Sequence, residues 1–185
     1  MKGICDNNPW YGFPERPDCH VEEMHKEGRT IAVRRPHVLF KVANAARIEA
    51  DALPDESRDN EVRKMLLDIM DDGNSERVTE LLDLAFADIL EMAGDEEDAI
   101  EDADIDVDDD DYVLTLRKSV TPKKANRVLR PRIEEYMVAY VLWQWLMYKG
   151  YAALSEAWHT RVEDMKSAVK SLLKGSRTKR PMSPF

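Results

Sequence analysis

The sequence predicts a mainly α-helical protein: a four- to five-helix bundle with a short β-hairpin or strand arm and extended termini. Three observations carry this. Apolar residues recur at helical spacing in several segments of the 185-residue chain, the breaks between them are mostly short and polar, and one stretch after an acidic run alternates as a strand does. With 43% apolar side chains, a chain of this length has one core and buries roughly 70% of the surface its unfolded form exposes.

Residues 1–35 hold both cysteines and two of the four histidines with no sustained period, and read as an irregular N-terminal extension. The bundle is expected over 36–175. Pro36 suits the first turn of a helix, and "PHVLFKVANAARIEADALP" places Leu39, Val42 and Ala46 on one face before Pro54 ends it. In "SRDNEVRKMLLDIMDDG", Val62, Met65, Leu66 and Ile69 keep helical spacing, with Asp71, Asp72, Gly73 and Asn74 as a turn. A third helix, "SERVTELLDLAFADILEMAG", runs between Ser75 and Gly94 with Val78, Leu81, Leu82, Ala85, Ile89 and Leu90 in one stripe. The second and third helices read as an αα-hairpin.

Residues 95–118 form the acidic and strand-like arm. "YVLTLR" alternates Val113 and Thr115 against Leu114 and Leu116, and upstream Ile100, Ile105 and Val107 allow a second strand. An isolated hairpin is marginal in water, so it needs a partner, either its own domain or a neighbouring subunit. The helical pattern returns at Asn126. Pro131 starts or kinks that helix, and Lys149 and Gly150 close it. Trp143 and Trp145 lie about 200° apart on it, so one of them reaches another surface or the helix is covered on all sides. A last amphipathic helix, "YAALSEAWHTRVEDMKSAVKSLLKG", precedes a basic tail, residues 176–185.

The formal charge of −10 is unevenly spread: residues 95–111 hold 12 of the 37 acids and no base, leaving 25 acids against 27 bases elsewhere. From residue 123 onward there are 13 bases and 5 acids. Opposite blocks of this kind steer association and suit stacking of one subunit on another; a solvated acidic loop that aids solubility is the competing reading. The N-terminus has no signal-peptide pattern, and the longest apolar stretch, 136–148, falls short of the roughly 20 residues that span a bilayer. Synthesis in the cytoplasm and no membrane partner are therefore expected.

Motifs for catalysis are missing from the sequence. It has no nucleophile elbow, phosphate loop or dinucleotide fingerprint; His37 and His159 stand alone on helices, and adjacent Glu134 and Glu135 point to different helix sides. No enzyme is expected. Cys5, Cys19, His20 and His25 supply ligand types for a tetrahedral zinc site, but their spacing matches no familiar pattern and adjacent Cys19 and His20 are awkward on one ion. No cofactor is expected, with zinc as the alternative. Alternating Asp102, Asp104, Asp106 and Asp108 fail as a calcium loop, because Val107 and Val113 stand where glycine and glutamate are needed. The tail residues Lys174, Arg177, Lys179 and Arg180 suit nucleic-acid phosphates or an acidic protein surface equally well, and a disordered chain end is the plainest competing reading.

The order of a strand "YVLTLR", a polar connection, "EEYMVAYVLWQWLMYKG", an immediate second helix "YAALSEAW" and a basic "KRP" resembles head-to-tail connector (adaptor, or neck) proteins of tailed bacteriophages of gut bacteria. The resemblance covers about residues 35–185, with little beyond helix order in the first half. It implies a structural virion protein, a helical adaptor whose copies form a ring, typically of twelve, between the portal protein and other neck or tail proteins, with DNA passing through the ring and no specific nucleic acid bound. It further implies a portal-docking tail, here Lys174, Arg177, Lys179, Arg180, Pro181 and Phe185, and an inter-subunit arm on the strand, here Tyr112, Leu114 and Leu116; Asp106, Asp108 and Asp110 are expected to extend that arm from their own alternation, which faces like charges to one side where a basic neighbour receives them. The Cys/His extension and the acidic run depart from the family's pattern. A nucleic-acid-binding or zinc-dependent interaction module is the alternative function.

Overall fold

The computed structural model describes residues 30–53, 57–94, 100–106, 111–116 and 125–173. Their order is β1 (Thr30–Arg34), α1 (Arg35–Ala52), α2 (Ser57–Leu67), α3 (Asp72–Gly94), β2 (Ile100–Asp106), β3 (Asp111–Leu116), α4 (Arg130–Tyr148) and α5 (Ala152–Leu173). A single 3-10 turn, Asp68–Met70, separates α2 from α3, and a π-helical turn, Ala125–Leu129, leads into α4. The protein is a mainly helical bundle carrying a small antiparallel sheet, as the periodicity predicts.

Helix α4 is the axis of the bundle. Ile133, Tyr136, Met137, Val141, Leu142, Trp145 and Leu146 are among its buried residues and fall on every side of it, because α1, α3, α5 and β1 all pack against it. Trp145 is enclosed and donates its indole N–H to the Met65 sulfur at 3.0 Å. Trp143, on the other side, packs half-buried against Tyr140 and His159. Both tryptophans are thus covered by their own chain. Pro131 sits in the first turn, where its missing N–H costs nothing.

The end of α4 shows how sequence sets a local structure. Gly150 adopts φ +81°, the left-handed region that side chains with a Cβ avoid. Its N–H donates to Met147 O and the Tyr151 N–H donates to Leu146 O, both at 3.0 Å. This double closure satisfies two carbonyls that the helix leaves over and reverses the chain into α5. At the end of α1 the task falls to a side chain: Arg63 donates to Ala50 O at 3.0 Å and Leu53 O at 2.7 Å. That contact pins α2 to α1. The predicted αα-hairpin of the second and third helices is therefore corrected, since α2 packs on α1 and α3 on α4. The intended turn is also shorter, because Asp72, Gly73 and Asn74 already belong to α3.

The sheet has the strand order β1-β3-β2, antiparallel throughout. Strand β1 lies inside the segment read as an irregular extension to residue 35. Its two apolar positions, Ile31 and Val33, are fully buried opposite Leu114 and Tyr112. Five residues alternating over so short a span, ending in Arg34 and followed at once by a helix, give too little period to read without the partner strand. A β-bulge near Ile100 and Asp102 shifts the register of β2.

Candidate functional site

The hairpin forms as predicted, but its second strand is no free arm. β3 is the central strand, paired on both sides, and Tyr112, Leu114 and Leu116 are fully buried in the chain's own core. Their assignment to an inter-subunit contact is corrected: burial leaves them no surface for another subunit. Asp106 holds the register position opposite Asp111, the last pair before residues 107–110. Asp108 and Asp110, the tail residues Lys174, Arg177, Lys179, Arg180, Pro181 and Phe185, and the candidate ligands Cys5, Cys19, His20 and His25 lie outside the described residues. Among the described residues, no group of three or more His, Cys, Asp or Glu is arranged to hold a metal ion, and no helix is long and apolar enough to cross a membrane.

Three polar networks tie the elements together, and each has a carboxylate at its centre. On α3, Asp83 accepts from the Tyr112 hydroxyl at 2.6 Å and from Arg35 at 3.3 Å. The Arg35 guanidinium also lies over the Tyr112 ring, 5.2 Å from its centroid. Burial, then the hydrogen bond to Asp83, pushes the Tyr112 phenol well above its usual range, with Arg35 opposing. One turn on, Asp88 accepts from Tyr136 of α4 and from Lys166 of α5, the latter at 3.1 Å and 3.2 Å. Burial and the Asp88 hydrogen bond likewise raise the Tyr136 phenol. In both networks the phenol is held as a neutral hydrogen-bond donor.

The third network gathers cations. The Glu134 side chain is only 6% exposed, yet it accepts from Lys41 at 2.5 Å and Arg130 at 3.0 Å, with His37 Nε2 at 3.6 Å. Burial alone would raise its pKa, but the hydrogen bonds and charges of Lys41 and Arg130 outweigh that and hold the carboxyl below its ordinary value. Glu135 lies on the other side of α4, exposed and paired with Arg132 at 2.8 Å, as the one-residue spacing requires. Sequence reasoning set His37 aside as standing alone and Glu134 aside because adjacent Glu135 points to another helix side. The overlooked signal is that 34–41 and 123–132 are basic segments with no acid, so the first carboxylate buried beside them draws several partners.

These basic segments meet because of the topology. The π-helical turn contacts β1 and α5, and α1 packs on α4. The Arg132 to Met165 contact at 3.7 Å shows α5 running back along α4, so the chain enters the π-helical turn and leaves α5 at one end of the bundle. Phe40 and Val128 are exposed on these same elements, 70% and 44% respectively. At the opposite end, Glu61, Lys64, Met65, Asp68, Asn74, Trp145 and Lys149 line an open pocket of about 250 Å³. Lys149 stacks over the Trp145 ring at 4.5 Å. Acidic and basic side chains are mixed around the pocket. No family model, curated protein or solved structure matches the chain.

Proposed function

We propose that the chain is a structural virion protein, the head-to-tail connector of a tailed bacteriophage, whose copies form a ring between the portal and further neck or tail proteins. The observation that supports this most is the separation of roles in the molecule. Its interior is a bundle cross-tied by three carboxylate networks. Its charge is sorted into an acidic hairpin at one sheet edge and a basic bundle end. A ring subunit needs a stiff body with complementary surfaces set apart on it, and opposite charges fix both register and partner choice. The order β3, α4, glycine turn, α5 and basic tail is also the order on which the resemblance to connectors rests.

In this reading the tail from residue 174 docks on the portal and the bundle sets the spacing of the ring. The test is mass and shape by light scattering and negative-stain imaging, for the chain alone and mixed with the protein encoded beside it. A ring in either sample is the expected result. Truncation after Gly175 should abolish docking and leave the circular dichroism melt unchanged, since α5 already ends at Leu173. A chain that stays monomeric in every mixture overturns the connector reading, and a truncated chain that docks normally overturns the role of the tail.

A further inference from the structure

Two helices turn patterned faces to the outside. On α1, His37, Phe40, Asn44, Arg47, Ile48 and Asp51 are exposed and share one side of the helix, opposite the buried Val38, Val42, Ala46 and Ala50. Phe40 and Ile48 are 70% and 60% exposed. On α3, Arg77, Glu80, Leu84, Ala87 and Glu91 are exposed on the side opposite Val78, Leu82, Ala85 and Ile89. Leu84, half exposed, stands at the middle of that face. A single exposed apolar residue is ordinary, but the residues around these three fit one another.

Laid antiparallel with Leu84 against Asn44, the two faces match position by position. Glu91 comes to His37, Ala87 to Phe40, Glu80 to Arg47 and Arg77 to Asp51. The intervals make this possible, because His37 to Asp51 and Arg77 to Glu91 each cover about 21 Å of helix at roughly 1.5 Å per residue. Leu84 then lies between Phe40 and Ile48, each one turn from Asn44, and the small Ala87 leaves room for the Phe40 ring. The parallel arrangement about the same centre sets Glu91 against Asp51 and Arg77 against His37, which penalises it.

The faces do not meet within one molecule. Helices α1 and α3 both bury their inner sides on α4 and do not pack on one another; the Arg35–Asp83 pair joins them at the margin. Their outer faces therefore point away from a shared axis. The charges on these faces are also available. Among the described residues, Glu91, Arg47 and Asp51 enter no ion pair. Arg77 and Glu80 pair at 2.7 Å on the helix surface, with side chains 46% and 58% exposed, and a pair so well solvated contributes little and exchanges readily. Asp83 and Asp88, the acids of α3 that hold the inner networks, take no part in the face.

We propose that the outer face of α3 in one copy docks antiparallel on the outer face of α1 in a second copy, with Leu84 between Phe40 and Ile48 and with Glu80–Arg47 and Arg77–Asp51 as its ion pairs. This supplies the copy-to-copy contact of the ring and rests on the connector reading. Two different faces meet, so the contact is heterologous: each copy keeps one face of each kind unused until the series closes. One helix face on another is a small contact, and a subunit held on both sides in a closed ring is retained better than one in an open pair.

Charge exchange in the full chain tests it. One variant carries Arg47→Glu and Asp51→Lys; the other carries Arg77→Glu and Glu80→Arg, which keeps the pair within α3 in reversed order. None of these positions belongs to the three buried networks, and circular dichroism melts matching the parent's establish that both variants fold. Sedimentation of the parent, alone or with the adjoining protein, should show association that rises with concentration and weakens with salt. Each variant by itself sets like charges together and should associate about tenfold more weakly or worse. Mixed in equal amounts they should associate again, because the altered α1 face of one matches the altered α3 face of the other and the two unaltered faces match as in the parent. Leu84→Asp should weaken association by a similar factor. Variants that associate as the parent does, or folded variants whose mixture fails to recover, overturn the contact and leave the connector reading standing on the parent's ring. A parent that is monomeric alone and in every mixture overturns both. Copies that stay apart from each other yet bind the adjoining protein, more weakly after Arg47→Glu and Asp51→Lys, assign the α1 face to that protein and overturn the contact between copies.

Discussion

Glu134→Gln keeps the shape of a nearly enclosed side chain and removes its charge. The carboxylate is 6% exposed, whereas Lys41 and Arg130 are 35% and 39% exposed. Breaking a fully buried ion pair costs about 3–5 kcal/mol, and a hydrogen bond to a charged group contributes about 1.5–3 kcal/mol. Water reaches both cations here and screens what they lose, so the lower part of these ranges applies. We expect a loss of about 2 kcal/mol, or a melting temperature lowered by about 4–8 °C for a chain of this size. The pH dependence follows from the direction of the shift. The Glu134 carboxyl is held below its ordinary value in the folded state, so its contribution is present above the unfolded pKa of about 4.3 and disappears as pH falls through the lower folded value. The gap between parent and variant should therefore be full near neutrality and close in acid, below about pH 4. Urea unfolding followed by circular dichroism at descending pH measures both quantities. A second comparison, Lys41→Met in the parent and in the Glu134→Gln background, isolates the coupling. A variant within about 0.5 kcal/mol of the parent at neutral pH, or a gap that persists in acid, would refute the assignment of Glu134 as an ionised bridge between α1 and α4.

Two other expectations concern the alkaline limit and the edge of the sheet. Tyr112 and Tyr136 have phenols raised above the usual value of about 10 by burial and by their carboxylate partners. The unfolded chain ionises first, and stability should fall as pH rises past about 10. Combining Tyr112→Phe with Tyr136→Phe should flatten that alkaline slope in a series of thermal melts; a slope unchanged from the parent would place the sensitivity elsewhere. Ile31→Ala should cost about 2–4 kcal/mol in equilibrium unfolding because Ile31 is fully buried. Phe40→Ala, 70% exposed, should stay within about 0.5 kcal/mol. Equal effects from the two would remove β1 from the core.

Helix positions were legible in the sequence wherever the local signal is self-contained. Pro36 and Pro131 lie in the first turns of α1 and α4, and Gly150 closes α4, because proline and glycine act through their own backbone. Stripes such as Val78, Leu81, Leu82, Ala85 and Ile89 became the buried face of α3. Leu39, Val42 and Ala46 were expected on the inner face of α1: Val42 and Ala46 are fully buried there with Val38 and Ala50, and Leu39 packs half-buried at its margin. With Phe40 and Ile48 exposed on the other side, apolar residues lie around much of α1, and spacing alone does not identify its partner.

The sequence by itself determined the helical class, the hairpin, the helix ends marked by Pro36, Pro131 and Gly150, and the division of charge into an acidic run and basic segments. Each of these depends on neighbours within a few residues or on composition alone. Only the tertiary structure decided that Ile31 and Val33 form a strand, that α2 belongs to α1, that Tyr112, Leu114 and Leu116 are core, and that Glu134 collects Lys41, Arg130 and His37. Those outcomes rest on contacts between residues as far apart as Thr30 and Thr115 or Lys41 and Glu134. Periodicity records which face of an element is apolar, but the packing of the whole chain selects what that face meets.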